Sequence, residues 1–241
     1  MTPHLGALLV ARAWPQQHAL SEFDRWQQTK HLVDLVALPG IQRVSYYATR
    51  TCGIPQAWQG SGNRMAAYWA EDLPGIKRWM QDPGLSEAIE DGSQFFDSFN
   101  ELDDSTYTGN VYQLGPRWPG DPEPLLEGCL LMQRFEVPDD QKKEFDDWVI
   151  RRHLPALRSI PGCQWAQWGK AVRGLPVQYY NSPGNRVVLV ELDQPRAPDL
   201  TARFIDRIVA DSLKWDRRLN YVRREVDESV ASFDKPLGVS T

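Results

Sequence analysis

Residues 22–40, EFDRWQQTKHLVDLVALPG, return as residues 144–162, EFDDWVIRRHLPALRSIPG, with every position displaced by 122 and no gap. The same displacement carries Leu8-Leu9 onto Leu130-Leu131, Arg12 onto Arg134, and Gly62-Asn63-Arg64 onto Gly184-Asn185-Arg186. A register held over that span makes the chain two copies of one supersecondary unit. A pseudo-two-fold molecule is therefore expected. With 241 residues, each copy has enough chain to bury a core of its own.

Each copy opens on a short apolar run, Gly6–Ala13 or Gly128–Phe135, whose length favours a buried strand. A helix follows, with Ser21 or Asp139 placed to cap it, and stops at Pro39-Gly40 or Pro161-Gly162. A second strand is expected at Ile41–Thr49 or Cys163–Val172, and a third at Met65–Glu71 or Val187–Glu191. Gly-Asn-Arg makes the turn into the third strand, because Gly and Asn tolerate positive φ. The second helix is clearest at Leu200–Leu213; Pro74, Pro83 and Gly84 break its first-copy counterpart into two pieces. Fourth strands are expected at Tyr107–Leu114 and Leu219–Val226. The order β-α-β-β-α-β, twice over, is the ferredoxin-like pattern and predicts an α+β fold. The units span residues 1–114 and 127–226, joined by a Pro-rich linker at 115–126. A tail, 227–241, without periodicity closes the chain.

Charge and composition remove several classes of function. A net charge of −5 argues against nucleic acid, whose phosphates require clustered Lys and Arg. No apolar run approaches the roughly 20 residues that cross a bilayer. The N-terminal segment has neither the basic start nor the cleavage site of a signal peptide, and three widely spaced cysteines suggest free thiols. A cytoplasmic protein is expected. Motifs for nucleotide binding, serine hydrolysis and zinc proteolysis are missing, and the four histidines are not at ligand spacing. No metal or cofactor is therefore expected.

At about 100° per residue, one inward arc of the first helix holds Phe23, Gln27, His31, Leu35 and Leu38. The second holds Phe145, Val149, His153, Leu157 and Ile160. His31 and His153 are the candidate catalytic residues. Each is either a core residue bonded to a backbone carbonyl or an imidazole that moves a proton in a dry pocket. Asp24 and Asp146 share the arc, roughly 10 Å away along the axis. Arg12 and Arg134 lie on the first strands and either pair with Asp24/Asp146 or Glu22/Glu144, or hold a substrate carboxylate or phenolate. Trp26 and Trp148 flank the arc, and Tyr46 and Trp168 are matched on the second strands. These four are pocket candidates that also suit core packing.

Trp148, His153, Leu154, Pro155 and Leu157, followed by Pro161-Gly162 and a strand, resemble the signature of EthD-like proteins in the dimeric α+β barrel superfamily. The first copy carries Trp26, His31, Leu32, Leu35, Pro39 and Gly40, with Val33 in place of the proline. The resemblance covers the first half of each repeat. It implies two units whose sheets pair within this chain as a barrel, and a ligand cavity between helices and sheet. The superfamily includes polyketide cyclases, aldoxime dehydratases, muconolactone isomerases, cofactor-free monooxygenases, dye-decolourising peroxidases and chlorite dismutases. The expected function is a cofactor-independent lyase or isomerase for a small aromatic or polyketide-like ligand, working by His acid/base chemistry. Alternatives are a haem protein related to chlorite dismutase or peroxidase, a cofactor-free monooxygenase, and a binding module without catalysis. The internally paired chain could also form a homodimer. Val33 and the broken helix mark the first pocket as the one that has decayed.

Overall fold

The computed structural model describes residues 5–50, 64–91, 108–117, 128–175, 182–192, 212, 214–219 and 221–235. The first copy supplies β1 (Ala7–Ala13), α1 (Leu20–Trp26), a π-helical turn (Gln27–His31), α2 (Leu32–Ala37), β2 (Arg43–Arg50) and β3 (Arg64–Ala70). It continues with α3 (Leu73–Gln81), α4 (Pro83–Asp91) and β4 (Thr108–Leu114). The second supplies β5 (Cys129–Glu136), a 3-10 turn (Asp139–Gln141), α5 (Lys142–Trp148), a second π-helical turn (Val149–His153) and α6 (Leu154–Arg158). Strands β6 (Cys163–Ala171), β7 (Arg186–Leu192) and β8 (Tyr221–Asp234) complete it. Most of the helix expected at 200–213, the linker residues 118–126, Cys52, and residues 62–63 and 236–241 lie outside the described residues.

The strands close into one barrel in the order β1-β3-β2-β8-β5-β7-β6-β4, antiparallel throughout. The chain is thus an α+β pseudo-dimer of ferredoxin-like units paired internally. Each copy's last strand lies beside its own first strand and also pairs with the other copy. Strand β4 joins β1 to β6, and β8 joins β5 to β2. Closure leaves no sheet edge to template aggregation.

The long β8 corrects the expected tail. Residues 227–234 continue the strand, and Val226–Asp234 pair along β2 from Arg50 to Arg43. Alternation along 227–234 is hidden in the sequence because one face of that stretch lies inside the barrel, where Asp227 is buried. The opposite seam is shorter: β4 meets β6 through Tyr112–Leu114 against Gly169–Ala171, extended by Val172 N–H to the Val111 carbonyl and Gly115 N–H to the Trp168 carbonyl.

Three apolar cores follow from strand alternation. Leu9, Ala11, Tyr46 and Tyr68 pack outward against Phe23, Leu32, Leu35 and Trp79. Leu131, Phe135 and Val190 pack outward against Phe145, Trp148, Leu157 and Trp215. Leu8, Val10, Met65, Leu130, Met132, Trp165 and Leu189 fill the barrel interior. Each buried aliphatic or aromatic side chain contributes ~1.5–3 kcal/mol.

Arg12 follows Leu8 and Val10 by parity, and Arg134 follows Leu130 and Met132, so both guanidinium groups point into the barrel. This corrects the expected pairing with Asp24/Asp146 or Glu22/Glu144, which lie on the helices across the sheet. Arg12 donates to Asp227 at 2.7 and 3.0 Å and meets Glu225 at 2.8 Å. Arg134 donates to Glu225 at 2.7 Å, and Thr49 donates to Asp227 at 2.8 Å. Burial lowers the Arg12 pKa, but Asp227 and Glu225 outweigh it and hold the group charged.

The helices also depart from one continuous α register. The π-helical turns insert one residue before each histidine, so the buried face passes from Phe23 and Gln27 to Leu32, Leu35 and Val36. Helix α1 starts after Ala19, and Asp139 opens a 3-10 turn, so neither Ser21 nor Asp139 is the side-chain cap expected of it. Gly40 and Gly162 do take positive φ, 105° and 80°. A Cβ on Gly40 would lie 2.1 Å from the Gly75 carbonyl oxygen, so no other residue fits there. The broken helix of the first copy is α3 and α4, with Asp72 capping the first through Gly75 N–H at 2.8 Å.

Replacing Arg12 by Met strips Asp227 of its guanidinium inside the barrel. The expected loss is about 3–5 kcal/mol, because a buried charge is left uncompensated. Urea denaturation at pH 7.5 measures it; a loss below about 1 kcal/mol would show that the cluster does not hold β8 in place.

Candidate functional site

The histidines end the two π turns, yet the two halves treat them differently. His153 is fully buried against the outer face of β5, and its Nε2 meets Gln133 Oε1 at 2.6 Å. With Gln133 oriented this way, Nε2 carries the proton and Nδ1 holds the lone pair. The ring stacks on Trp148 at 4.5 Å and 22°. Trp148 packs on Trp215 at 5.7 Å, and both indoles contact Phe145. Burial depresses the His153 pKa to about 3, with Arg224 adding to the effect.

Arg224 stands directly opposite Gln133 in the β5–β8 ladder, so both side chains leave the same face. Its Nη2 donates to Ser212 Oγ at 2.7 Å and to Asp216 Oδ1 at 2.6 Å. Among the described residues, His153 Nδ1, Gln133 Nε2, Arg224 Nε, Trp148 Nε1 and Trp215 Nε1 are buried without a hydrogen-bond partner. Buried polar atoms are nearly always satisfied, and each orphan costs about 1–3 kcal/mol. Five of these atoms, four donors and one acceptor, belong to neighbouring side chains on the outer face of β5 and β8, and that grouping makes this the candidate site.

His31 is only partly buried. It stacks on Trp26 at 4.3 Å and bonds the backbone at Ala88 of α4. Burial lowers its pKa to about 4. The positions equivalent to Gln133 and Arg224 carry no polar side chain: the 122-residue displacement maps Gln133 onto Ala11, and the partner of Ala11 across the ladder is Gly109.

The other predicted residues have structural partners. Asp24 is held by Arg64 at 2.6 Å through both oxygens and accepts from Tyr46 OH at 2.7 Å. Asp146 is held by Arg186 at 2.7 and 3.2 Å, with Lys170 at 3.4 Å. These matched pairs pin each helix to the third strand of its own unit. Trp168 lies under Lys170 at 5.1 Å, and Trp26 donates to Asp91 at 3.3 Å. Arg12 and Arg134 are separated from the histidines by the sheet itself. Gly184 turns at φ 115° as Gly-Asn-Arg suggested, while Asn185 laces Val137 through bonds of 2.9 and 2.8 Å. A surface cavity of about 440 Å³ lies along Gln17, Leu20, Ser21, Asp24, Arg25 and Gln28, away from both imidazoles.

Sequence reasoning missed Gln133, Arg224, Trp215, Ser212 and Asp216. Gln133 had a signal: it is a polar residue inside an apolar strand, on the helix-facing side, where its repeat equivalent is Ala11. Arg224 had none, because the fourth strands do not share the 122-residue register.

No protein-family model and no curated protein matches the chain. Solved structures do. A candidate monooxygenase from Fusobacterium nucleatum superposes with TM-score 0.60 at 10% identity, covering 97% of this chain and 96% of that one. An anthrone oxidase-like protein gives 0.60 at 10%, covering 97% and 94%. A mutant chlorite dismutase from Candidatus Nitrospira defluvii gives 0.55 at 10%, covering 95% and 93%. These likenesses establish the fold: this is a dimeric α+β barrel with both units in one chain, the architecture that the EthD-like motif implied. Among the described residues no helix is long and apolar enough to cross a membrane.

The depressed histidine pKa values have a sign. Between about 6.5 and their folded values, the unfolded chain takes up protons that the folded one refuses. Stability from neutral rings is complete above pH ~6.5 and falls with pH through that window. Unfolding free energies from pH 7.5 to 4.5 should show a slope that His153→Gln reduces by about one proton. An unchanged slope would mean that His153 titrates normally in the fold.

Proposed function

We propose that the chain is a cofactor-independent proton-transfer enzyme, a lyase or isomerase acting at His153 on a small aromatic molecule with an ionisable or enolisable oxygen. The observation that carries this reading is the unpartnered Nδ1 of a buried, neutral imidazole, set among unpartnered N–H donors. Nδ1 takes the proton from the substrate, and the donors receive the oxyanion that forms. Gln133 fixes the tautomer and the ring orientation. Trp148 and Trp215 supply flat apolar walls. Because His153 is fully covered, access requires these walls to part, after which closure excludes water.

A second reading is oxygenation without a cofactor, in which the carbanion or phenolate formed at His153 reacts with dioxygen. The indole-lined site and the fold shared with an anthrone oxidase-like protein support it. Axial ligation of haem fits less well, since the Nε2 edge of His153 is already occupied by Gln133.

Deuterium exchange and product formation, followed by NMR over a panel of hydroxylated aromatic ketones and acids, test the proposal. His153→Ala should slow turnover by about 10²–10⁴-fold, and His31→Ala should slow it less. Full activity in both single variants and in the double variant would end the proposal. An oxygen electrode separates the two readings: uptake coupled to product belongs to the oxygenase.

A further inference from the structure

We infer that the His153 site takes an anion: Gln133 and Arg224 together receive the carboxylate or phenolate of a flat aromatic ligand, and the first half, having neither side chain, holds none. This deepens the reading above and rests on it for the location of the ligand.

The donor balance is the first reason. Gln133 Nε2, Arg224 Nε, Trp148 Nε1 and Trp215 Nε1 are four buried N–H groups with no acceptor among the described residues, against one open acceptor, His153 Nδ1, in the same group of side chains. A neutral hydrocarbon would leave all four unmet. A guest oxyanion, with several lone pairs, meets them and is bound most strongly by the charged donor.

The anchoring of Arg224 is the second. Ser212 and Asp216 take Nη2 and fix the plane of the guanidinium, which is 4% exposed. The Asp216 side chain is 22% exposed, so part of its charge is spent on solvent, while the Nε edge faces protein. Arg224 is therefore preset, and little side-chain entropy remains to be lost on binding. Phe135 lies beneath it at 5.9 Å.

The third reason is the comparison of the two halves. The ladder pair Gln133–Arg224 has the pair Ala11–Gly109 as its equivalent. The first half retains the imidazole and the stacked indole but has no side-chain donor at that ladder pair. One anion per chain follows.

Titration calorimetry at pH 7.5 with 2-naphthoate and its neutral analogue 2-naphthamide tests this. The wild-type chain should bind one naphthoate, at least tenfold tighter than the amide. Arg224→Gln should remove that preference. Because a half-buried Asp216 left without its partner could unfold the site, the balanced Asp216→Asn/Arg224→Gln variant is measured as well, with circular dichroism confirming the fold. Two naphthoates per chain, no binding, equal affinity for the amide, or a preference surviving in a folded variant would each overturn the inference. The readout is independent of turnover. A wild-type chain with no anion preference but with His153-dependent activity removes this inference alone; a wild-type preference without activity removes the proton-transfer reading alone.

Discussion

Two arginines and two carboxylates, sealed inside the barrel, hold the architecture together. Arg12 comes from β1 of the first copy and Arg134 from β5 of the second; Glu225 and Asp227 come from β8, which runs between the copies. Taking four charges out of water is expensive, and apolar residues would stabilise the interior more. What the cluster adds is discrimination. Sliding β8 by one residue would turn both carboxylates toward the helices and leave both guanidinium groups uncompensated. The register of β8 against β5 in turn places Arg224 opposite Gln133. The interior ion cluster and the outer polar site are thus set by a single strand alignment.

The duplication has been used unequally. Asp24–Arg64 and Asp146–Arg186 persist in both halves because they fasten helix to sheet, a need each unit has. The histidine and its stacked tryptophan also persist. The polar residues beneath them do not, and that difference separates a retained scaffold from a furnished site. Val33, read in the sequence as a sign of decay in the first copy, says less than Ala11 and Gly109, which remove the donors.

Much of the fold was legible because the repeat is ungapped where the chain is regular. The succession of strands and helices along the chain, the positive-φ glycines after each helix, and the broken helix at Pro83 all follow from local rules of pattern, turn and cap. The misses share another cause. A π turn replaces an α turn without changing composition, so a period of 100° cannot detect it. Arg12 was assigned acidic partners from its neighbours along the chain, although parity with Leu8 and Val10 placed it on the other face. Arg224 is paired with Gln133 only through the β5–β8 ladder, ninety-one positions away from it in sequence terms (224 minus 133). Non-local pairing of that kind is decided by the closed sheet.

The unequal seams bear on how the molecule breathes. Between β2 and β8 a long ladder runs from Arg43 to Arg50; between β4 and β6 the ladder covers Tyr112–Leu114 against Gly169–Ala171, with one further backbone bond at each end, Val172 to Val111 and Gly115 to Trp168. Thermal fluctuations find the weakest row of hydrogen bonds first. Amide protons along β4 would accordingly trade with solvent ahead of those along β2, and the cylinder would split lengthwise beside Trp168, on the second unit's flank, while the β8 side stays shut.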